Sequence, residues 1–272
     1  MIIRQFTCFG NGDAGGNPAL VIEDAPAGEA ERSALAREHG LTCVFIDPPG
    51  ASGAATLDFV YPHMRSPLCL HATLAAAEVL FAREGAAAPL MVTTAMRGQP
   101  LLLARDGGTV FVRLARQAAP QVAVDGEVAA RLLAAPGLAL ASAPGIASVG
   151  SPKLLLEVAD AATLHGLQPD LALIHDWGKA QGISGCYVWC RLGENEVEGR
   201  NFNHLDPRLE DRATGVAAGA LTALLGHGLL LRQGRASGSD CLIRTALDGD
   251  AVLVGGRVRA EPHAVPSARS AG

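Results

Sequence analysis

Residues Leu209–Leu225 read LEDRATGVAAGALTALL, an acidic opening that passes through Arg212, Ala213, Thr214 and Gly215 into small and apolar residues. No charged residue occurs from Ala213 to Leu231. Acidic and hydroxyl residues suit a helix N-terminus, and the apolar run follows directly, so the pattern predicts a helix from near Thr214. Gly226 and Gly228 supply the stop. Ala, Gly, Val and Leu lie nearly all round this helix, which predicts burial on every side rather than on one face. Such a helix is thin, and strands must wrap it closely. Its N-terminal amides point at the acidic dipeptide Glu210-Asp211, a candidate site.

The bulk composition narrows the field. The chain has 272 residues with 49% hydrophobic side chains, enough for one large domain or two modest ones. Net charge is -5, and Lys153 and Lys179 are the only lysines, so there is no electrostatic footprint for nucleic acid. MIIRQFTCFG lacks the apolar core of a signal peptide. The uncharged run 213–231 contains Gly215-x-x-x-Gly219, but Thr214, His227 and its glycines interrupt it, and there is no second span. A soluble, cytoplasmic protein that does not engage membranes is expected. Six cysteines show no CxxC spacing, so free thiols are expected. Alternation places Cys186 and Cys190 of CYVWC on one face of a strand, as core thiols.

Outward from the opening stretch, the chain reads as two similar halves. Ile2–Phe9 and Ala19–Ile22 are strands joined by GNGDAGGNP. That segment matches Gly10-x-Gly12-x-x-Gly15, yet Gly16-Asn17-Pro18 runs into a strand rather than a helix, so nucleotide binding is rejected. A turn with several positive-φ residues explains the glycines. A helix follows over Glu29–His39, then strands at Val44–Ile46 and Thr56–Tyr61. LCLHAT, from Leu68, opens a second apolar helix through Phe81. Strands at Leu90–Thr94, Pro100–Ala104 and Thr109–Leu114 follow, the last two joined at Asp106-Gly107. After a linker at Gln117–Val124 the order recurs. Gly150-Ser151-Pro152-Lys153-Leu154 echoes Gly16–Leu20, a helix at Ala161–Gly166 and a strand at Cys186–Arg191 come next, and the hairpin 241–254 mirrors 100–114. Residues 1–118 and 119–272 are the expected halves, with the last strand able to return to the first.

Two buried helix starts would each present unpaired amides and a positive dipole end. Where such ends meet, a carboxylate or a developing enolate is held without a metal. His71 and Asp211 are the candidate acid–base groups. Each has a structural alternative: Asp211 as a stabiliser of its helix start, His71 as a hydrogen-bonded core histidine. Gly-x-Ser-x-Gly, HExxH and Walker motifs are absent, and no cofactor or metal is expected. Trp177 and Trp189 read as packing residues.

The pieces FGNGDAGGNPALVI, LCLHATLAAAEVL, SVGSPKLLLEV and GRNFNHLDPRLEDRATGVAAGAL, in this order over roughly 1–260, resemble the PhzF phenazine-biosynthesis-protein family, related in fold to diaminopimelate epimerase and proline racemase. The resemblance implies an α+β fold of two pseudo-symmetric domains, each a mostly antiparallel β-barrel around a central α-helix, with the active site between them. It also implies cofactor-independent proton transfer on a small acid, and a homodimer. The family's CGHAT histidine falls on His71 and the aspartate of its EDPATG motif on Asp211. Asn17 of the first piece joins the helix-start residues Leu70, Ala72, Thr73, Gly215 and Val216 as substrate-binding positions. The chain departs from the pattern at Leu70 (Gly in the family) and Val216 (Ser). The family's general base, a Glu in a stretch like NLSETVF, is missing: Gly40–Phe45 reads GLTCVF, one residue short. Glu38 lies nearby on the preceding helix, and Cys43 would be a new thiol base.

The expected function is an isomerase or epimerase of a small carboxylic or amino acid, with Asp211, His71 and Cys43 handling protons. Two alternatives stay open: a carboxylate-binding homologue that has lost turnover, and a lyase or cyclase using the same proton abstraction.

Overall fold

The computed structural model describes residues 1–12, 15–50, 53–85 and 89–262. In chain order its strands and helices are β1 (Ile2–Cys8), β2 (Asn17–Glu23), α1 (Glu29–His39), β3 (Thr42–Asp47), β4 (Ala55–Val60), β5 (Arg65–Ser66), α2 (Leu70–Glu84), β6 (Leu90–Thr94), β7 (Pro100–Asp106) and β8 (Thr109–Ala115). There follow α3 (Gly126–Leu132), β9 (Gly145–Ala147), β10 (Lys153–Glu157), α4 (Ala161–Gly166), α5 (Leu171–Gln181), β11 (Cys186–Arg191) and β12 (Glu196–Phe202). The chain closes with α6 (Gly215–Leu225), β13 (Leu230–Gln233), β14 (Cys241–Asp248), β15 (Ala251–Gly256) and β16 (Val258–Ala260). This is a mixed α/β fold with extensive β-sheet and, among the described residues, six α-helices.

The chain divides into two compact units. The first holds residues 1–10, 17–112 and 257–272, the second 11–16 and 113–256. Of these, 13–14, 51–52, 86–88 and 263–272 lie outside the described residues, and with them Asp13 and Ala14 of the expected glycine turn.

In the first unit β1 pairs antiparallel with both β2 and β16, β2 runs parallel to β3, and β3 is antiparallel to β4. The core helix α2 packs on β1, β2, β3, β4 and β16. Its alanines explain how: Ala72, Ala75, Ala76 and Ala77 are fully buried, and only small side chains let strands approach so many sides of one helix. Helix α1 covers the other side of β3, where Ala36 meets Leu20, Ile22, Cys43, Phe45 and Val60 in a separate apolar cluster. The β7–β8 hairpin turns on Gly107 and Gly108, at φ 51° and 79°. The turn therefore lies one residue beyond the expected Asp106-Gly107, because two positive-φ residues in succession favour the Gly-Gly pair.

In the second unit β10 runs parallel to β11, β11 is antiparallel to β12, and β12 runs parallel to β13. Helix α6 packs on β9, β10, β14 and β15. A Cβ on Gly219 would lie 2.6 Å from Val149 Cγ2, so glycine there sets how close the strands come. Burial on every side holds from Ala217 to Thr222 but fails in the last turn, where Leu224 is 42% exposed. Helices α3, α4 and α5 cover the opposite face of β10–β12, and Cys186, Val188 and Cys190 point together into that second core. All six cysteines are free and buried, and Trp177 packs against the same core. No helix among the described residues is long and apolar enough to cross a membrane.

Gly12, Gly15 and Gly16 take positive φ (78°, 81° and 106°), as a turn requires and a helix start does not. At Gly15 the constraint is also steric: an added Cβ would lie 2.2 Å from the Asp240 carbonyl oxygen.

Candidate functional site

The first unit supplies the start of α2. Cys69 precedes it in extended conformation (φ -142°, ψ 106°) and makes no side-chain capping bond. The Thr73 amide donates to the Cys69 carbonyl at 2.9 Å, and the Thr73 hydroxyl donates to the same oxygen at 2.8 Å. Both donors of Thr73 are thus spent inside the helix, and its side chain is fully buried. The amides that helix geometry leaves without an intrahelical acceptor are those of Leu70, His71 and Ala72. His71 is buried, with Nδ1 3.3 Å from Cys69 Sγ and the Tyr61 ring edge-on at 6.5 Å. The Cys8 thiol donates to the His71 carbonyl at 3.0 Å. Asn17, buried at the head of β2, is the register partner of Cys8, so β1 links it to the α2 start. Leu70, next to the histidine in sequence, is 4% exposed.

Cys43 is placed elsewhere. On β3 it shares a face with Phe45 in the apolar cluster under α1, and burial pushes its thiol up to about 12. Its one hydrogen bond runs to the Leu41 carbonyl at 3.6 Å. A thiol held neutral at pH 7 in an apolar cluster does not serve as a base, so the expectation for Cys43 is corrected: it is a core residue. The opposite face of β3 carries Thr42, an alcohol, and Glu38 is exposed on α1. Neither stands in for the missing Glu, and the one carboxylate on β3, Asp47, is held by Arg32.

The second unit supplies the start of α6, and a chain of buried hydrogen bonds holds it. Tyr187 Oη donates to Gln233 Oε1 at 3.2 Å, and that oxygen also accepts from the Thr214 amide at 3.2 Å. Gln233 Nε2 donates to the Asp211 carbonyl at 2.8 Å and to Thr214 Oγ1 at 3.0 Å. Thr214 Oγ1 then donates to Asp211 Oδ2 at 2.9 Å. Every proton has one direction, so the carboxylate of Asp211 is held by an oriented hydroxyl rather than a free rotor. The Ala217 and Ala218 amides close on the Thr214 carbonyl, leaving Gly215 and Val216 as the amides without an intrahelical acceptor. Val216 keeps that amide while lacking a hydroxyl.

Glu210 acts on the loop, not on protons. Arg200 clamps it bidentately, Nε to Oε1 at 3.0 Å and Nη2 to Oε2 at 2.8 Å. The same guanidinium donates to the Leu164 and Leu167 carbonyls and stacks on Phe202 at 4.8 Å. Lys153 lies close enough for Asp211 to act on its charge: burial lowers the ammonium to about 8, and Asp211 and Cys186 pull it back up. Burial likewise pushes Tyr187 well above the usual phenol range, so it remains a donor.

The sequence therefore named Asp211 but missed the residues that position it. Lys153 stands in the GSPKL echo, which drew attention for its backbone pattern only. Gln233 sits on a short strand after the helix and carries no sequence signal. Among the described residues, no group of three or more His, Cys, Asp and Glu side chains could hold a metal ion.

The family model for phenazine biosynthesis-like proteins matches residues 6–267. A curated relative in Deinococcus radiodurans, named an uncharacterized isomerase, is 33% identical over 239 residues, covering 82% of this chain and 76% of the relative. Another, the uncharacterized isomerase YddE of Escherichia coli K12, is 27% identical over 258 residues, 85% of each chain. A solved structure of a predicted epimerase from Pseudomonas aeruginosa superposes with a TM-score of 0.80 at 24% identity, covering 98% of this chain and 99% of the other.

Proposed function

Because this chain belongs to the phenazine biosynthesis-like protein family, we propose that it is a cofactor-independent isomerase or epimerase of a small carboxylic or amino acid. The relatives named isomerases support the reaction class. The reading takes each half as a barrel around its central helix, α2 or α6, as the family resemblance implies. The observation that carries it is the hydrogen-bond chain from Tyr187 through Gln233 and Thr214 to Asp211, which fixes a carboxylate beside first-turn amides.

In this reading the substrate carboxylate binds first-turn amides, Gly215 and Val216 at α6 and Leu70 and Ala72 at α2, with Asn17 as a further contact. One of Asp211 and His71 removes the proton from the carbon next to the carboxylate. The C–H electron pair moves onto the carboxylate as an enolate, which the amide dipoles stabilise. The other group returns a proton to the same carbon or to one conjugated with it. No redox change or metal is needed for this balance. General acid–base help of this kind contributes on the order of 10²–10⁴-fold.

One observation favours a second reading, a carboxylate-binding protein without turnover: the one carboxylate of β3, Asp47, is paired with Arg32, and the strand's thiol is held neutral. Wash-in of solvent deuterium at the α-carbon, across a panel of small acids, separates the two. Exchange by the wild type that falls at least about 10²-fold in Asp211→Asn and in His71→Ala is the expected result. Carboxylate binding by thermal shift without exchange of any compound would establish the second reading and sink the first.

A further inference from the structure

Residues 200–212, which carry the chain from the end of β12 to the start of α6, hold three arginines and three acids. Two pairs form among them. Arg200 takes both oxygens of Glu210, and Arg208 meets Asp206 at 2.6 Å. Asp211 accepts from the Thr214 hydroxyl at 2.9 Å. Arg212 is left over. It is exposed, and among the described residues its guanidinium makes no hydrogen bond and no ion pair. Asp240, on the loop that follows β13, already accepts from Asn11 Nδ2 at 3.0 Å.

The backbone that carries Arg212 is fixed on both sides. The Asp211 carbonyl accepts from Gln233 Nε2 at 2.8 Å, and Ala213 and Thr214 are buried. Gly234, at φ 104°, packs on the Arg212 carbonyl so closely that an added Cβ would lie 2.8 Å from that oxygen. The charge of Arg212 also stays near that of Asp211. Burial pushes up the Cys241 thiol at the head of β14, bonds to Ser239 and Gly16 lower it, Asp211 raises it and Arg212 lowers it. One buried sulphur thus lies in the field of both side chains. The family motif EDPATG has a proline where this chain has Arg212, and proline supplies neither charge nor donor. The guanidinium is an addition of this chain, directly beside the candidate acid–base group.

We infer that Arg212 is a specificity-determining residue that receives a second carboxylate on the substrate. A planar guanidinium takes a carboxylate through two parallel hydrogen bonds, and a neutral group in the same place forgoes the charge. Successive Cα atoms lie about 3.8 Å apart, so one small molecule spans the side chains of Asp211 and Arg212. The inference rests on the isomerase reading and narrows its substrate class to small dicarboxylic acids, amino-substituted or not.

The test is isothermal titration of the full chain with three pairs that exchange a carboxylate for an amide: L-aspartate and L-asparagine, L-glutamate and L-glutamine, succinate and succinamate. In at least one pair the diacid is expected to bind at least about fivefold tighter. Arg212→Gln is expected to remove that preference while Tm of the ligand-free protein stays within about 2 °C of wild type, because the side chain is exposed and unpaired. Binding of none of the six, equal binding within every pair, preference for the amides, or a diacid preference that survives Arg212→Gln overturns the inference. A larger fall in Tm does so too, by giving the guanidinium a structural partner. Binding is read separately from chemistry. Diacid preference that depends on Arg212, with no compound in the panel exchanging deuterium, leaves this inference standing and removes the isomerase reading. Exchange that is alike for diacid and amide, and unchanged in Arg212→Gln, does the reverse.

Discussion

Lys153 gives the structure a measurable pH signature. It is 1% exposed on β10, its ammonium donates to the Ser184 carbonyl, and Ser184 Oγ lies 3.5 Å away. Burial lowers its pKa from 10.5 to about 8. Since the folded value lies below the unfolded one, the unfolded chain binds more protons between those limits, and stability rises with pH across that window. The gap corresponds to roughly 3 kcal/mol when fully relieved, of which about 1 kcal/mol is gained between pH 7 and 9. Buried thiols act in the opposite sense. Burial raises Cys43 and Cys186 from 9.0 to about 12 and Cys190 to about 11, so the folded chain keeps these protons longer and stability is lost above pH 9. Wild type alone would show the sum. The clean quantity is the difference from Lys153→Met, which keeps the length and drops the titration. Urea midpoints of the transition that unfolds the second unit, taken at pH 7, 8 and 9, should show wild type gaining about 1 kcal/mol on the variant, or about 2–4 °C in Tm. Parallel curves would refute the argument, because they would mean that Lys153 titrates alike in both states.

Two further perturbations test other parts of the site. Cys43→Ala should leave deuterium exchange within about twofold of wild type and cost about 1–2 kcal/mol in urea unfolding, the signature of a small core cavity; loss of exchange in a folded variant would return the thiol to the mechanism. Glu210→Gln leaves Arg200, whose side chain is 12% exposed, without its bidentate partner, and should cost about 3 kcal/mol in the same assay, less whatever solvent screens; an unchanged midpoint would show that the pair does not hold the loop.

How much the sequence revealed depended on whether burial and hydropathy agreed. Helix α6 begins at Gly215 and stops before Gly226, and α1 and β11 span Glu29–His39 and Cys186–Arg191, as their patterns require. In these elements apolar residues are buried and special-φ glycines sit at the ends. Helix α2 runs three residues past Phe81 because Ala82, Arg83 and Glu84 are all compatible with another turn before Gly85 takes φ 60°. Strand β12 was hidden for the opposite reason. Its sequence EVEGRNF carries Glu198 and Arg200 on the face toward α4, where they look like loop residues until their partners are known. Glu198 meets His165 at 2.8 Å and Arg200 meets Glu210, and pairing of this kind is what permits charge on an inner face. Helix α5 had readable signals, with Asp170 accepting from the Leu173 amide and Gly182 at φ 70°, but its face is half polar and its apolar residues alone do not outline it.

The candidate site was legible where chemistry follows a local motif and illegible where it follows register. His71 and Asp211 each sit beside a helix start, and a helix start can be read from consecutive residues. Cys43 could not be judged that way, because side chains alternate along a strand and a stretch one residue short moves every side chain to the other face. The parallel pairing of β2 with β3 settles it by aligning Leu20 with Cys43 and Ala19 with Thr42. Leu20 and Cys43 then share the cluster under α1, and Thr42 takes the other face. An alcohol there orients by hydrogen bonding but does not accept a substrate proton at neutral pH. In the proposed reaction, proton removal and return are divided between the imidazole of His71 and the carboxylate of Asp211. That places unusual weight on Gln233: its amide donates to both the Asp211 carbonyl and the Thr214 hydroxyl, so the direction of the Thr214 proton at the Asp211 carboxylate depends on this side chain.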